Sequence, residues 1–295
     1  MKKIAISALV LSMIGMAHAE VNVYGKFAEY QESYTLGTAS SLTRMTNDSS
    51  RLGVKASEKV DNDITVGGVF ETGIAIDAPS ATTLGDRTAI LSLSNSLGTL
   101  SAGRDKHAIA RVLDNFDAME NAYSTIVNSI HYAQGTRVQN AIFLTTAPVA
   151  GFSASYQFAN SEVAGTANSQ AGGINYSSGP FSAAFARYDN GTTTFSNIVG
   201  LKYKLEKTDT TLYGLYSDDT IASVNTIGKS IGVRQVVTPQ LALLASYGEK
   251  NDGTTGTAVG AAYAMNKALT FHARYAKIDT TTDITQYGVG VQYNF

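Results

Sequence analysis

From residue 20 to the end of the chain, apolar and polar side chains take turns, and no feature limits the possible folds more. In the last stretch Tyr287, Val289, Val291, Tyr293 and Phe295 share one face, while Gln286, Gly288, Gly290, Gln292 and Asn294 share the other. Leu269, Phe271, Ala273 and Tyr275 repeat the pattern against Thr270, His272 and Arg274. Phe152, Ala154, Tyr156 and Phe158 do the same against Ser153, Ser155 and Gln157. A period of two belongs to the β-strand, and helical spacing is scarce. Roughly sixteen such segments can be placed, each with boundaries good to about two to four residues. They lie near 21–33, 49–59, 63–74, 86–95, 98–105, 137–147, 150–160, 169–178, 180–189, 194–205, 208–217, 226–236, 240–249, 255–265, 268–278 and 284–295.

The connections alternate in length. Short turns fall at Asp61-Asn62, Ser96-Leu97, Pro148-Val149, Gly179-Pro180, Lys207-Thr208, Thr238-Pro239 and Asn266-Lys267, with longer polar loops such as 34–48, 75–85, 160–168 and 278–283 between them. An even-stranded barrel with both chain ends on one rim needs this arrangement. Alternation alone does not separate a lipid-facing wall from the core of a soluble sheet. Tyr and Phe near the strand ends, and a second face that is Gly-rich or polar rather than charged, favour lipid. The expected fold is an all-β, 16-stranded antiparallel transmembrane β-barrel.

Residues 1–19 read as a secretory signal. Lys2 and Lys3 form the basic start, Ile4 to Met16 the apolar run, and Ala17-His18-Ala19 the cleavage site. The barrel would then occupy 20–295, with 20 basic and 24 acidic residues and a formal charge of −4. That balance gives no basic footprint for nucleic acid. The chain has no cysteine, which excludes disulfides, thiol catalysis and Cys-ligated zinc.

Several stretches, taken in order, resemble the general, trimeric porins of Gram-negative bacteria, of the β-proteobacterial type. They are Val21-Asn22-Val23-Tyr24-Gly25, Ser50 to Glu58 (SRLGVKASE), Val69-Phe70-Glu71, Arg87 ahead of Leu91-Ser92-Leu93-Ser94, Leu97 to Asp105 (LGTLSAGRD), Arg137 to Ile142 (RVQNAI), and the terminal Phe295. The resemblance implies an outer-membrane, water-filled channel for passive diffusion of ions and small hydrophilic solutes. It also implies a homotrimer in outer-membrane lipid, and a C-terminal Phe295 presented to the outer-membrane assembly machinery. An inward-folded third loop, 106–136, is expected to narrow the lumen and to carry Asp114, Asp117 and Glu120. Opposite it the family places arginines, here Arg51, Arg87 and Arg137, with Glu71 among them.

Alternation places Arg51 on the polar face, because Leu52, Val54 and Ala56 take the other, and Arg137 likewise beside Val138, Ile142 and Leu144. Arg87 shares parity with Leu91 and Leu93, so it must sit at a bulge or beyond the regular strand. The polar face also collects Lys26, Lys55, Lys202, Lys204, Arg234 and Arg274, which predicts a mild anion preference. No cofactor or metal-ligand spacing is found, and no H-E-x-x-H, G-x-S-x-G or P-loop pattern. His107 and His131 read as solvated residues of the third loop, and His272 as a lumen-facing strand residue. Two other readings stay open: a substrate-selective anion or sugar channel of the same fold, and a non-transporting barrel, either enzyme or adhesin.

Overall fold

The computed structural model describes residues 19–77, 83–120, 125–131 and 137–295; most of the expected signal, residues 1–18, lies outside them. The strands in chain order are β1 (Glu20–Leu36), β2 (Leu42–Asn47), β3 (Arg51–Lys59), β4 (Thr65–Gly73), β5 (Thr88–Asn95) and β6 (Gly98–Lys106). Two helices follow, α1 (Ala108–Phe116) and α2 (Val127–Ile130). Then come β7 (Arg137–Thr146), β8 (Phe152–Ala159), β9 (Ser169–Ser178), β10 (Phe181–Asp189), β11 (Phe195–Leu205) and β12 (Thr210–Ile221). The last five are β13 (Val224–Val236), β14 (Leu241–Lys250), β15 (Thr255–Ala264), β16 (Leu269–Asp279) and β17 (Ile284–Asn294).

From β3 onward every strand pairs antiparallel with the next in sequence, and β1 closes the ring on β17 from Lys26↔Asn294 to Leu36↔Ile284. β2 and β3 both pair with β1 and together make one stave, so the seventeen segments form a sixteen-stranded barrel. The break between them is a β-bulge. Lys26 and Glu29 on β1 face Arg51 and Asn47, leaving two residues on one side against three on the other. Asp48 donates its backbone N–H to the Ala28 carbonyl, and Ser50 Oγ exchanges hydrogen bonds with the Ala28 amide and carbonyl at 2.9 and 3.2 Å. The extra residue reverses the alternation, so Asp48 and Arg51 both point inward. A bulge re-aims side chains in this way.

The expected polar loop 34–48 is mostly ladder. β1 runs on to Leu36 and β2 starts at Leu42, because Tyr34 and Leu42 still pair. The β12–β13 connection is likewise reduced to Ala222-Ser223, both with positive φ, as a tight hairpin turn needs.

Burial runs opposite to that of a soluble sheet. Leu52, Phe70, Leu91, Leu144, Tyr156, Phe271 and Val289 are exposed on the outer wall. Hydrocarbon tolerates such a face, and a closed ladder leaves no backbone group unpaired in lipid. At the seam, Phe295 exchanges backbone hydrogen bonds with Gly25 (2.9 and 3.1 Å), and its ring lies 5.5 Å from Phe27 and 5.7 Å from Tyr293. Replacing Phe295 by alanine is expected to destabilise the seam by roughly 1 kcal/mol. A lower urea midpoint for unfolding from bilayers would register the change.

The described stretches between β6 and β7, residues 107–120 and 125–131, pack on apolar residues of β9 to β16. Ile109, Val112, Leu113 and Phe116 of α1 form a buried apolar cluster with Ala171, Ala184, Ala186, Tyr188, Ile198 and Leu215 of β9 to β12. Gly200 makes room for the Phe116 ring; a Cβ there would sit 2.6 Å from it. Further on, Met119, Ile126 and Ile130 pack on Leu244, Ala258, Ala262, Ala276 and Ile278.

Candidate pore constriction

The inner wall left uncovered by α1 carries a charge cluster centred on Glu71. The carboxylate accepts from Arg87 Nε at 2.6 Å and from the Tyr24 hydroxyl at 3.1 Å, with Arg51 Nε at 3.5 Å and Arg137 Nη2 at 4.0 Å. Five strand neighbourhoods contribute: β1 (Tyr24), β3 (Arg51), β4 (Glu71), the residue before β5 (Arg87) and the start of β7 (Arg137). The Tyr24 ring reaches Glu71 across Gly53, where a Cβ would lie 2.3 Å from the ring. Arg87 sits one residue ahead of its regular strand, its backbone N–H on the Glu71 carbonyl at 3.3 Å, so strand parity does not govern it.

Three guanidiniums against one carboxylate leave the cluster at +2. Nearby, Lys26 and Asp48 neutralise each other at 3.6 Å, and the Lys55 ammonium lies 4.6 Å from the Tyr24 ring centroid. Guanidiniums crowded this way repel, and Glu71 offsets part of that repulsion. An uncompensated charge left on a half-buried wall costs several kcal/mol.

The three loop carboxylates are each engaged within the segment or with the wall. Asp114 pairs with Lys106. Asp117 is buried and accepts from the Met119 amide at 2.9 Å, closing the turn after α1. Glu120 reaches β13 and β16 instead of the Glu71 cluster: Arg234 Nε lies at 2.8 Å and Arg274 Nη2 at 3.8 Å. Arg274 also donates to the Met119 carbonyl at 2.9 Å. Lys202 faces the Phe116 ring at 5.6 Å, and Lys204 pairs with Asp209 at 3.0 Å near the β11–β12 turn.

His107 and His131 are both buried rather than solvated, because the loop packs on the wall, and His131, after α2, is an anchor that strand alternation does not reveal. It is fully buried, with Nδ1 2.9 Å from Ser217 Oγ and Nε2 2.8 Å from Ser230 Oγ. Burial, with a smaller push from the Lys250 charge, lowers its pKa to about 4. The folded pKa lies below the unfolded value near 6.5, so this contact is at full strength above about pH 6.5 and is lost as pH falls towards 4. The difference is worth roughly 3 kcal/mol. Current fluctuations should therefore grow between pH 6.5 and 4, and His131→Gln should remove that portion of the pH dependence. Equal pH profiles for the two proteins would exclude His131 as the titrating anchor.

The model of the family described as Gram-negative porin matches residues 5–295. A search of curated proteins finds no match. Among solved structures, the anion-selective porin from Comamonas acidovorans is 18% identical with a TM-score of 0.80, covering 94% of this chain and 100% of that one. Salmonella typhi OmpF in complex with daunomycin is 17% identical with a TM-score of 0.74, covering 93% and 97%. The trimer form of OmpT, an outer membrane protein of Vibrio cholerae, is 15% identical with a TM-score of 0.72, covering 94% and 99%. With the closed sixteen-stranded wall and a family match over nearly its whole length, the chain belongs to the Gram-negative porins.

Proposed function

We propose that this outer-membrane channel passes small hydrophilic solutes and ions by passive diffusion, with a mild preference for anions, and does no covalent chemistry. The observation that carries the selectivity is the +2 cluster of Arg51, Arg87, Arg137 and Glu71 on the inner wall facing α1. Charged rings in a narrow wet gap set the sign of the permeant ion. The segment 106–136 is the constriction: its apolar contacts fill the β9–β12 side of the lumen, which confines water to the charged side. A polar solute crossing there exchanges water for guanidinium and hydroxyl partners, whereas an apolar one disturbs ordered water without replacement. Lys55 extends the positive wall, and Lys202 adds a charge on the α1 side.

The neighbouring fold described as a trimer form supports a homotrimer. The amino-terminal 19 residues act as the cleaved export signal, and Phe295 acts as the mark read by the assembly machinery. Swelling of liposomes carrying the purified protein tests the diffusion reading. Sugars of increasing size should enter at falling rates without saturation. Entry of one sugar alone, with saturation, would replace this reading with a selective channel.

A further inference from the structure

A second cluster of buried donors lies on β16, beside the Glu120 contacts. Beneath the Glu120 turn, a cavity of about 260 Å³ is lined by Tyr30, Glu120, Arg234, Gln240, His272 and Arg274, among others. It reaches from the loop down to the β13–β14 turn at Thr238-Pro239, one of the short turns.

The hydrogen-bonding character of these groups is one-sided. Arg274 Nη2 lies 3.2 Å from His272 Nδ1. A guanidinium can only donate, so Nδ1 accepts and the ring proton sits on Nε2. Among the described residues that Nε2–H has no partner, and neither has Arg274 Nε–H, although both residues are more than nine-tenths buried. Unmade donor bonds on buried groups are costly. Two guanidiniums face one carboxylate, Glu120, while Asp48 at the rim is balanced by Lys26. Among the described residues the site therefore has surplus positive charge and two unpaired buried donors, and the carboxylate that faces its guanidiniums comes from the loop.

We propose that this cavity is a second anion subsite, separate from the Arg51, Arg87 and Arg137 cluster, for a small oxyanion bearing a carboxylate or phosphate group. Planar guanidiniums match both groups with paired hydrogen bonds. Glu120 acts as the resident competitor: its carboxylate holds Arg234 and Arg274 when no ligand is present, and an entering oxyanion exchanges with it. The volume admits a small carboxylate or phosphate. The subsite rests on the channel reading, because the ligand must arrive through water, but it does not depend on the selectivity assigned to the Glu71 cluster.

The test is chloride current through single channels in planar bilayers, titrated with inorganic phosphate in one arm and succinate in the other. At least one should reduce the current saturably, and the arm with the lower half-blocking concentration identifies the preferred group. Arg234→Gln, a half-exposed and tolerant position, should raise that concentration by about tenfold. Glu120→Gln, which removes the competitor, should lower it several-fold. Absence of saturable block in a conducting channel overturns the subsite, as does block that ignores Arg234→Gln and Glu120→Gln. Absence of any current overturns the channel reading instead.

Discussion

Replacing Arg51, Arg87 and Arg137 together by glutamine abolishes the anion preference and moves the reversal potential in a salt gradient towards the cation side. The wild-type cluster stands at +2 around Glu71; the triple variant leaves that carboxylate alone, at −1. A change of three charges within a few ångströms of the passing ion is worth at least ~1.4 kcal/mol, about tenfold in the permeability ratio. The complementary Glu71→Gln change raises the cluster to +3 and should strengthen anion preference, with some loss of stability from unrelieved repulsion. The triple variant and Glu71→Gln thus move the potential in opposite directions. Movement in the same direction would mean that lumen charge elsewhere, such as Lys55 and Lys202, sets the selectivity.

Releasing α1 from the wall has the second large effect. Ile109 and Phe116 are almost completely buried against β9 to β12. Truncating a buried Phe to alanine costs roughly 3–5 kcal/mol, and an Ile about 2–5. The double variant Ile109→Ala, Phe116→Ala should therefore detach the helix while the ladders of the outer wall stay intact. The expected result is a noisier channel of larger mean conductance that admits larger sugars, with an unchanged β-sheet signal by circular dichroism. Unchanged conductance and size cut-off in the double variant would mean that the helix does not limit passage.

How far these features can be read from residues alone depends on which solvent each residue meets. Strands such as β16 and β17 face lipid on one side and a polar lumen on the other, so their alternation is clear and their limits fall within a residue or two of those expected. Arg51 and Arg137 follow by parity. β10 to β12 blur the pattern, because Ala184, Ala186, Ile198 and Leu215 face inward and are apolar as well. That inward apolar patch needs a partner, and the expectation of a loop over 106–136 misses it: Ile109, Val112, Leu113 and Phe116 stand at helical spacing, hidden among the acidic residues of the same stretch. The bulge at Asp48-Ser49-Ser50 was harder to see. One extra residue shifts parity without leaving a composition signal, and only the pairing with β1 exposes it. Glu120 illustrates a third limit. A carboxylate on a loop pairs with whichever cation folding brings near, and Arg234 and Arg274 are more than a hundred residues away in sequence.

The cysteine-free chain permits one direct measurement of the claim beneath all of this, that adjacent residues of a stave meet lipid and water in turn. Val54 and Lys55 are neighbours on β3, one on the outer wall and the other over Tyr24. Lys55→Cys in the reconstituted channel should react with a charged, water-soluble thiol reagent and lower the current in discrete steps, while Val54→Cys should leave the current untouched. Current loss at Val54→Cys with none at Lys55→Cys would contradict the account.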